Sequence, residues 1–186
     1  RYKLRLDKNR LGSGLLPKAP GTWGSLLAVA LGEALLGAAG LPGLVALAAA
    51  STLLGVPASG RIAALRGVED PSEVVVDEIA GQSIALALLH SVLPAAAAPL
   101  ARWAFVLLAF ALFRVLDIAK PGWIDRLQSL PGGWGVMADD LLAGAIAGML
   151  AAAAAFSRVI DTSPLTGLRL RLRPDEPLAP RTTWRI

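Results

Sequence analysis

The sequence contains no cysteine and a single histidine, His90. The first absence excludes a disulfide framework, thiolate metal sites and cysteine-nucleophile phosphatases. The second excludes a His-rich zinc centre and any mechanism that needs two catalytic histidines. Charge is scarce as well. Only 17% of the 186 residues are Asp, Glu, Lys or Arg, against about a quarter in soluble chains, and aromatics make up 5%. In their place stand Ala, Leu, Val and Gly, with 55% hydrophobic residues and a mean hydropathy of +0.59. That composition suits one domain of helices packed through small side chains in a bilayer. Ionic chemistry is left to carboxylates, Lys and Arg.

The net charge of +4 is unevenly placed. Basic residues crowd positions 1 to 18 and recur from Arg158 to Arg185, where they suit solvated termini beside anionic headgroups. No aromatic residues interleave with them in the manner of a nucleic-acid surface, so no nucleic-acid partner is expected. Positions 1 to 25 lack an apolar stretch, so no secretory signal peptide is expected there.

Five apolar segments follow: Leu26–Ala39, Pro42–Val56, Ile79–Leu93, Ala97–Leu116 and Leu141–Phe156. Only the fourth approaches the ~20 residues that cross a bilayer. Pro-containing, nearly uncharged joints at 40–43 and 91–99 suit hairpins. Asp70-Pro71-Ser72-Glu73 is a capping-box variant that predicts a helix from Pro71 into the third segment, and Lys120-Pro121-Gly122 closes the fourth. The expected fold is all-α, a membrane-associated bundle of five or six helices in hairpin pairs. Residues 1–17 read as a basic N-terminal segment, 18–157 as the helical domain and 158–186 as a basic Pro/Arg-rich tail.

Hairpin pairing would bring Asp77 and Glu78, Asp117 and Lys120, Asp139 and Asp140, and the Gly21–Ser25 block to one face. Eleven of the eighteen Lys and Arg residues fall on that side, which favours a cytoplasmic orientation. If the fifth segment spans, the tail arginines fall opposite. The alternatives are a re-entrant or interfacial segment, or an exception to the positive-inside tendency.

Four blocks carry a more specific signal. They are Gly21-Thr22-Trp23-Gly24-Ser25-Leu26, Val74-Val75-Val76-Asp77-Glu78-Ile79-Ala80-Gly81, Phe113-Arg114-Val115-Leu116-Asp117-Ile118-Ala119-Lys120-Pro121, and the stretch from Gly132 to Gly144. In order and spacing, from about Lys18 to Leu150, they resemble the phosphatidylglycerophosphatase A family. One departure is Gly122-Trp123-Ile124, where family members often have a second Pro before the Ile. The resemblance implies magnesium-dependent hydrolysis of phosphatidylglycerophosphate to phosphatidylglycerol at the bacterial inner membrane. It also implies acidic site residues at Asp77, Glu78, Asp117, Asp139 and Asp140, with Lys120 beside them.

Elementary chemistry reads the same residues compatibly. Phosphomonoester hydrolysis needs stabilisation of phosphoryl charge and a positioned water. Carboxylate oxygens favour Mg2+, as one ion or a pair. Asp77, Asp117, Asp139 and Asp140 are the candidate ligands, and Glu78 would orient the water. Lys120 and Arg114 would neutralise the phosphate, sharing a helix face with Asp117. Gly132, Gly133, Thr22 and Ser25 would lend donors to phosphate oxygens.

Plainer readings exist for each cluster taken alone. Asp139 and Asp140 at a helix start would serve as caps. Asp117 with Arg114 or Lys120 would be an ordinary intrahelical pair. Glu33 admits a structural or a functional role, while His90 reads as structural or interfacial. The five tryptophans suit interfacial anchors, with Trp23, Trp123 and Trp134 on the active face. The rival functions are an ion path, which would need carboxylates deep in spans, and a non-catalytic helical bundle.

Overall fold

In the computed structural model, residues 20–67 and 74–161 are described. Among them the chain forms six helices: α1 (Pro20–Ala39), α2 (Leu41–Arg66), α3 (Val76–Val92), α4 (Pro99–Ala119), the single turn α5 (Gly122–Asp125) and α6 (Trp134–Asp161). A 3-10 turn, Arg126–Ser129, follows α5. No strand occurs among the described residues.

Each apolar segment lengthens into its flanks. As a result α1, α2, α4 and α6 are all long and apolar enough to cross a membrane, and the protein is a membrane protein. The basic N-terminal segment, Lys18, the Asp70–Glu73 capping signature and the tail beyond Asp161 lie outside the described residues. Val74 and Val75 are described and are not helical, so no helix runs continuously from Pro71. The helix starts at Val76, beyond a run of β-branched side chains that fit poorly against a helical turn. Asp77 and Glu78 therefore occupy its first turn, where the helix dipole favours negative charge.

A second boundary also moves. The structure begins α6 at Trp134, directly after the turn at Gly132 (φ 63°) and Gly133. Asp139 and Asp140 thus lie in its second turn, and the capping reading falls. The 28 residues of α6 rise about 42 Å at 1.5 Å each. That length carries Arg158 to the end opposite the acidic residues, so of the alternatives for this segment the spanning one fits its length.

The short α3 is the hub, touching α1, α2, α4 and α6. Around it the usual inside-out order of soluble proteins is relaxed. Leu53, Leu65, Leu100, Ile118 and Phe156 face outward, while the interior is built from small side chains. Ala143, Ala147, Ala151 and Ala155 form a fully buried stripe on α6, four residues apart. Gly81 of α3 and Gly144 of α6 meet backbone to backbone, and a Cβ on Gly144 would overlap the Gly81 carbonyl. One turn further on, a Cβ on Gly148 would lie 2.8 Å from the Ala85 Cα. Gly144 and Gly148 are the small-xxx-small pair that lets membrane helices approach this closely.

At the end remote from the acidic residues, a trio of polar side chains ties three helices together. The two Glu33 carboxylate oxygens on α1 face His90 Nε2 of α3 at 2.7 Å and Arg102 Nη2 of α4 at 2.6 Å. Glu33 and His90 therefore have structural partners inside the bundle.

Candidate active site

The end where α1, α3 and α6 begin and α4 finishes collects the chemistry. Asp77 and Glu78 come from α3, and Asp140 from α6. Their carboxylate oxygens all lie within 4.8 Å of one another. Asp77 and Asp140 are buried, and Glu78 Oε2 is buried with no hydrogen-bond partner. An unpartnered carboxylate oxygen in such a place costs free energy unless a cation meets it. The Glu78 backbone N–H donates to Asp77 Oδ1 at 3.0 Å, which fixes the Asp77 rotamer.

The remaining two predicted carboxylates flank this group and are held by cations. Asp117, in the last turn of α4, receives Arg114 Nη1 as an i,i+3 pair. A carboxylate there opposes the helix dipole, and the arginine offsets it. Arg114 also reaches Ser25 Oγ of α1 at 3.4 Å, and Ser25 donates to the Gly21 carbonyl at 2.8 Å. Asp139 Oδ2 accepts from Lys120 Nζ at 2.6 Å and from Gln128 Nε2 at 2.9 Å. Asp117, Asp77, Asp139 and Glu78 all lie near enough to Asp140 to repel its charge. Five carboxylates and two cations thus gather at one end of the bundle.

Lys120 departs from the sequence expectation. It does not continue the Arg114–Asp117 face but caps α4 in the left-handed region, at φ 39°. No other non-glycine residue among those described has positive φ. Pro121 disfavours the α conformation for the residue before it, so the chain turns here and aims the ammonium at α6.

Glycines set two further contacts. A Cβ on Gly21 would overlap Glu78 Oε1 and lie 3.1 Å from Arg114 Nη1. A Cβ on Gly133 would run into the Val56 carbonyl of α2, so Gly133 is spent on helix packing; Gly132 faces open space. Thr22 is half-buried in the first turn of α1. Ser25 sits a turn further along and offers its hydroxyl to Arg114.

Three polar residues near the site went unnoticed in the sequence. Gln128 follows α5 in a short turn with no distinguishing motif. Gln82 and Ser83 on α3 are fully buried, and neither side chain has a hydrogen-bond partner. Their signal was a polar pair one turn after Asp77-Glu78 in an otherwise apolar run. Trp23, Trp123 and Trp134 are exposed at this end of the bundle and Trp103 near the other, as interfacial anchors would be.

Comparison with known proteins shows which family the chain belongs to. The family model for phosphatidylglycerophosphatase A matches residues 8–155. A phosphatidylglycerophosphatase A of Haemophilus influenzae is 41% identical over 133 residues, covering 71% of this chain and 76% of its own. The Escherichia coli K12 protein of the same name is 37% identical over 147 residues, covering 75% and 76%. A Bacteroides thetaiotaomicron protein named "Putative phosphatidylinositol-3-phosphatase" is 42% identical over 148 residues, covering 77% and 87%. No solved structure matches the chain. With four helices long and apolar enough to span a membrane and a clustered acidic site behind it, the match over most of its length means that this chain is an enzyme of the phosphatidylglycerophosphatase A family.

Proposed function

We propose that the enzyme hydrolyses the terminal phosphomonoester of phosphatidylglycerophosphate, giving phosphatidylglycerol and inorganic phosphate, and that it requires Mg2+. The observation that carries this is the trio Asp77, Glu78 and Asp140, whose oxygens converge within 4.8 Å beside the cations Arg114 and Lys120. Hard oxygen donors at a half-open helix end suit an ion that keeps some waters and touches substrate phosphate. The buried, unpartnered Glu78 Oε2 fits that donor set. Asp77, Glu78 and Asp140 would hold the first ion, and Asp117 and Asp139, already oriented by Arg114 and Lys120, would complete its surroundings or hold a second. Bound Mg2+ would offset charge on the phosphoryl oxygens and fix the geometry of attack.

The protein's own groups have distinct tasks. Lys120 and Arg114 draw negative charge from the phosphoryl oxygens as it builds in the transition state. One Glu78 oxygen accepts a hydrogen bond from the attacking water and sets its direction. First-turn backbone N–H groups of α1, near Thr22, and the turn at Gly132 supply uncharged donors. The acidic end would face the cytoplasm at the bacterial inner membrane, with the basic N-terminal segment on the same side. Residues 18–157 would form the catalytic unit, flanked by the basic segment 1–17 and the tail 158–186.

The test is phosphate release from phosphatidylglycerophosphate by detergent-solubilised protein. Turnover should need Mg2+, stop with chelator, and collapse in Asp77→Asn, Asp117→Asn and Asp140→Asn. Full turnover in all three folded variants would refute the assignment.

A further inference from the structure

Beside the acidic cluster lies a recess of about 340 Å3, walled by Gly60, Ala63 and Ala64 of α2 and by Gln128, Leu130 and Gly132 opposite. We infer that it is the subsite for the hydroxylated linker that joins the scissile phosphate to the rest of the lipid. This rests on the lipid phosphatase reading and adds to it a place for the part of the headgroup that is not phosphate.

Three observations carry it. First, the recess and the acidic cluster share a wall. Gln128 lines the recess, and its Nε2 donates to Asp139 Oδ2, the same oxygen that receives Lys120. A phosphate drawn to Lys120 therefore has the recess as its neighbour. Second, that hydrogen bond fixes which way the amide points, because a carboxylate oxygen accepts only from the NH2 group. The Gln128 Oε1 remains as an acceptor for a hydroxyl. Third, the α2 side of the recess carries only the small residues Gly60, Ala63 and Ala64, while Leu130 and Gln128 stand opposite. Gly132 is exposed and a Cβ there would meet nothing within 4 Å, so the recess opens to its surroundings on that side. The volume lies near the lower end of small-molecule pockets, about 300–1,000 Å3. It suits a headgroup fragment and is too small for a whole lipid.

A three-carbon glycerol and an inositol ring share the required chemistry, a polyol attached to the phosphate that leaves. They differ in bulk. The α2 wall is then the element that decides how large a linker the enzyme accepts, and Ala64, exposed on the helix, is its most easily altered part.

The experiment compares wild type, Ala64→Leu and Gln128→Leu in detergent micelles, with phosphatidylglycerophosphate and phosphatidylinositol 3-phosphate as substrates. Leucine at position 64 preserves helix propensity, and thermal unfolding checks that the fold persists. Ala64→Leu should raise KM for phosphatidylglycerophosphate about tenfold with kcat held within twofold, and should weaken any inositol lipid turnover more. Gln128→Leu keeps bulk but removes the amide. It should raise KM as well and, by releasing Asp139, lower kcat. A KM within twofold of wild type in folded Ala64→Leu overturns the subsite. Wild-type protein that hydrolyses neither lipid refutes the phosphatase reading itself, and the subsite with it.

Discussion

Gly21→Ala adds one methyl group to the first turn of α1 and tests the site from an unexpected side. That methyl would overlap Glu78 Oε1, with the Glu78 Cδ and Arg114 Nη1 each 3.1 Å away. Normal contact between such atoms needs about 3.5 Å, so the Glu78 carboxylate has to retreat by roughly 1 Å. The backbone has no reason to object, because alanine favours a helix over glycine by up to about 1 kcal/mol. Stability and activity should therefore move apart. A misplacement of about 1 Å at a reacting centre costs on the order of 100-fold in rate, equivalent to about 2.7 kcal/mol in the barrier.

The assay is phosphate release at saturating Mg2+, with circular dichroism and thermal unfolding on the same preparation. The expected result is helicity and Tm at or above wild type with kcat reduced about 100-fold. Gly37→Ala is the control, since a Cβ there meets nothing within 4 Å. It should match wild type in rate. Wild-type kcat in a folded Gly21→Ala protein would refute the claim that Glu78, held against α1, belongs to the catalytic group.

Further outcomes follow from the same geometry. Asp140→Asn removes one of five mutually repelling carboxylates, so the metal-free protein should unfold at a higher temperature while Mg2+ ceases to stabilise it; differential scanning fluorimetry with and without Mg2+ reads both effects. Lys120→Gly relieves the left-handed backbone but deletes the cation facing Asp139, and should keep the fold while lowering phosphate release at least tenfold. Glu33→Ala leaves His90 and Arg102 without their shared partner and should lower stability by roughly 1–2 kcal/mol, with kcat of the folded fraction unchanged. Gly144→Ala forces α3 from α6 and should reduce both Tm and turnover, in contrast to Gly21→Ala.

The long apolar helices were legible because hydropathy reports directly on what faces lipid. Their ends were not. The capping signature at Asp70–Glu73 is a local rule, and it predicted a helix that Val74 and Val75 do not continue into α3. Asp139 and Asp140 interrupt an apolar run and so looked like its beginning, although α6 starts five residues before Asp139 at Trp134. The membership of the acidic cluster was legible from block spacing, but its internal grouping was not. Four aspartates looked equivalent as ligands, with Glu78 set apart. In the structure Glu78 joins Asp77 and Asp140, while Asp139 is taken by Lys120 and Gln128. That division depends on the left-handed turn at Lys120 and on a glutamine from a separate loop, neither of which leaves a periodic trace in sequence.

Gathering five carboxylates works against folding, since their mutual repulsion is weakly screened at a buried helix end. The α3–α6 crossing shows how the chain resists it. Gly81 lies four residues after Asp77, and Gly144 four after Asp140, so the backbone contact between these glycines sits about one helical turn, about 5.4 Å, below the carboxylates. With no side chain between them, the helices meet at the distance their backbones allow, and the carboxylate spacing above follows from that contact. Larger residues would widen the crossing and ease the repulsion, but would also part the oxygens that a shared cation needs. The glycines hold the site in a geometry that is unfavourable when empty of positive charge. On the proposed metal-dependent reading, an ion would then be held more tightly here than by the same carboxylates spread over a surface.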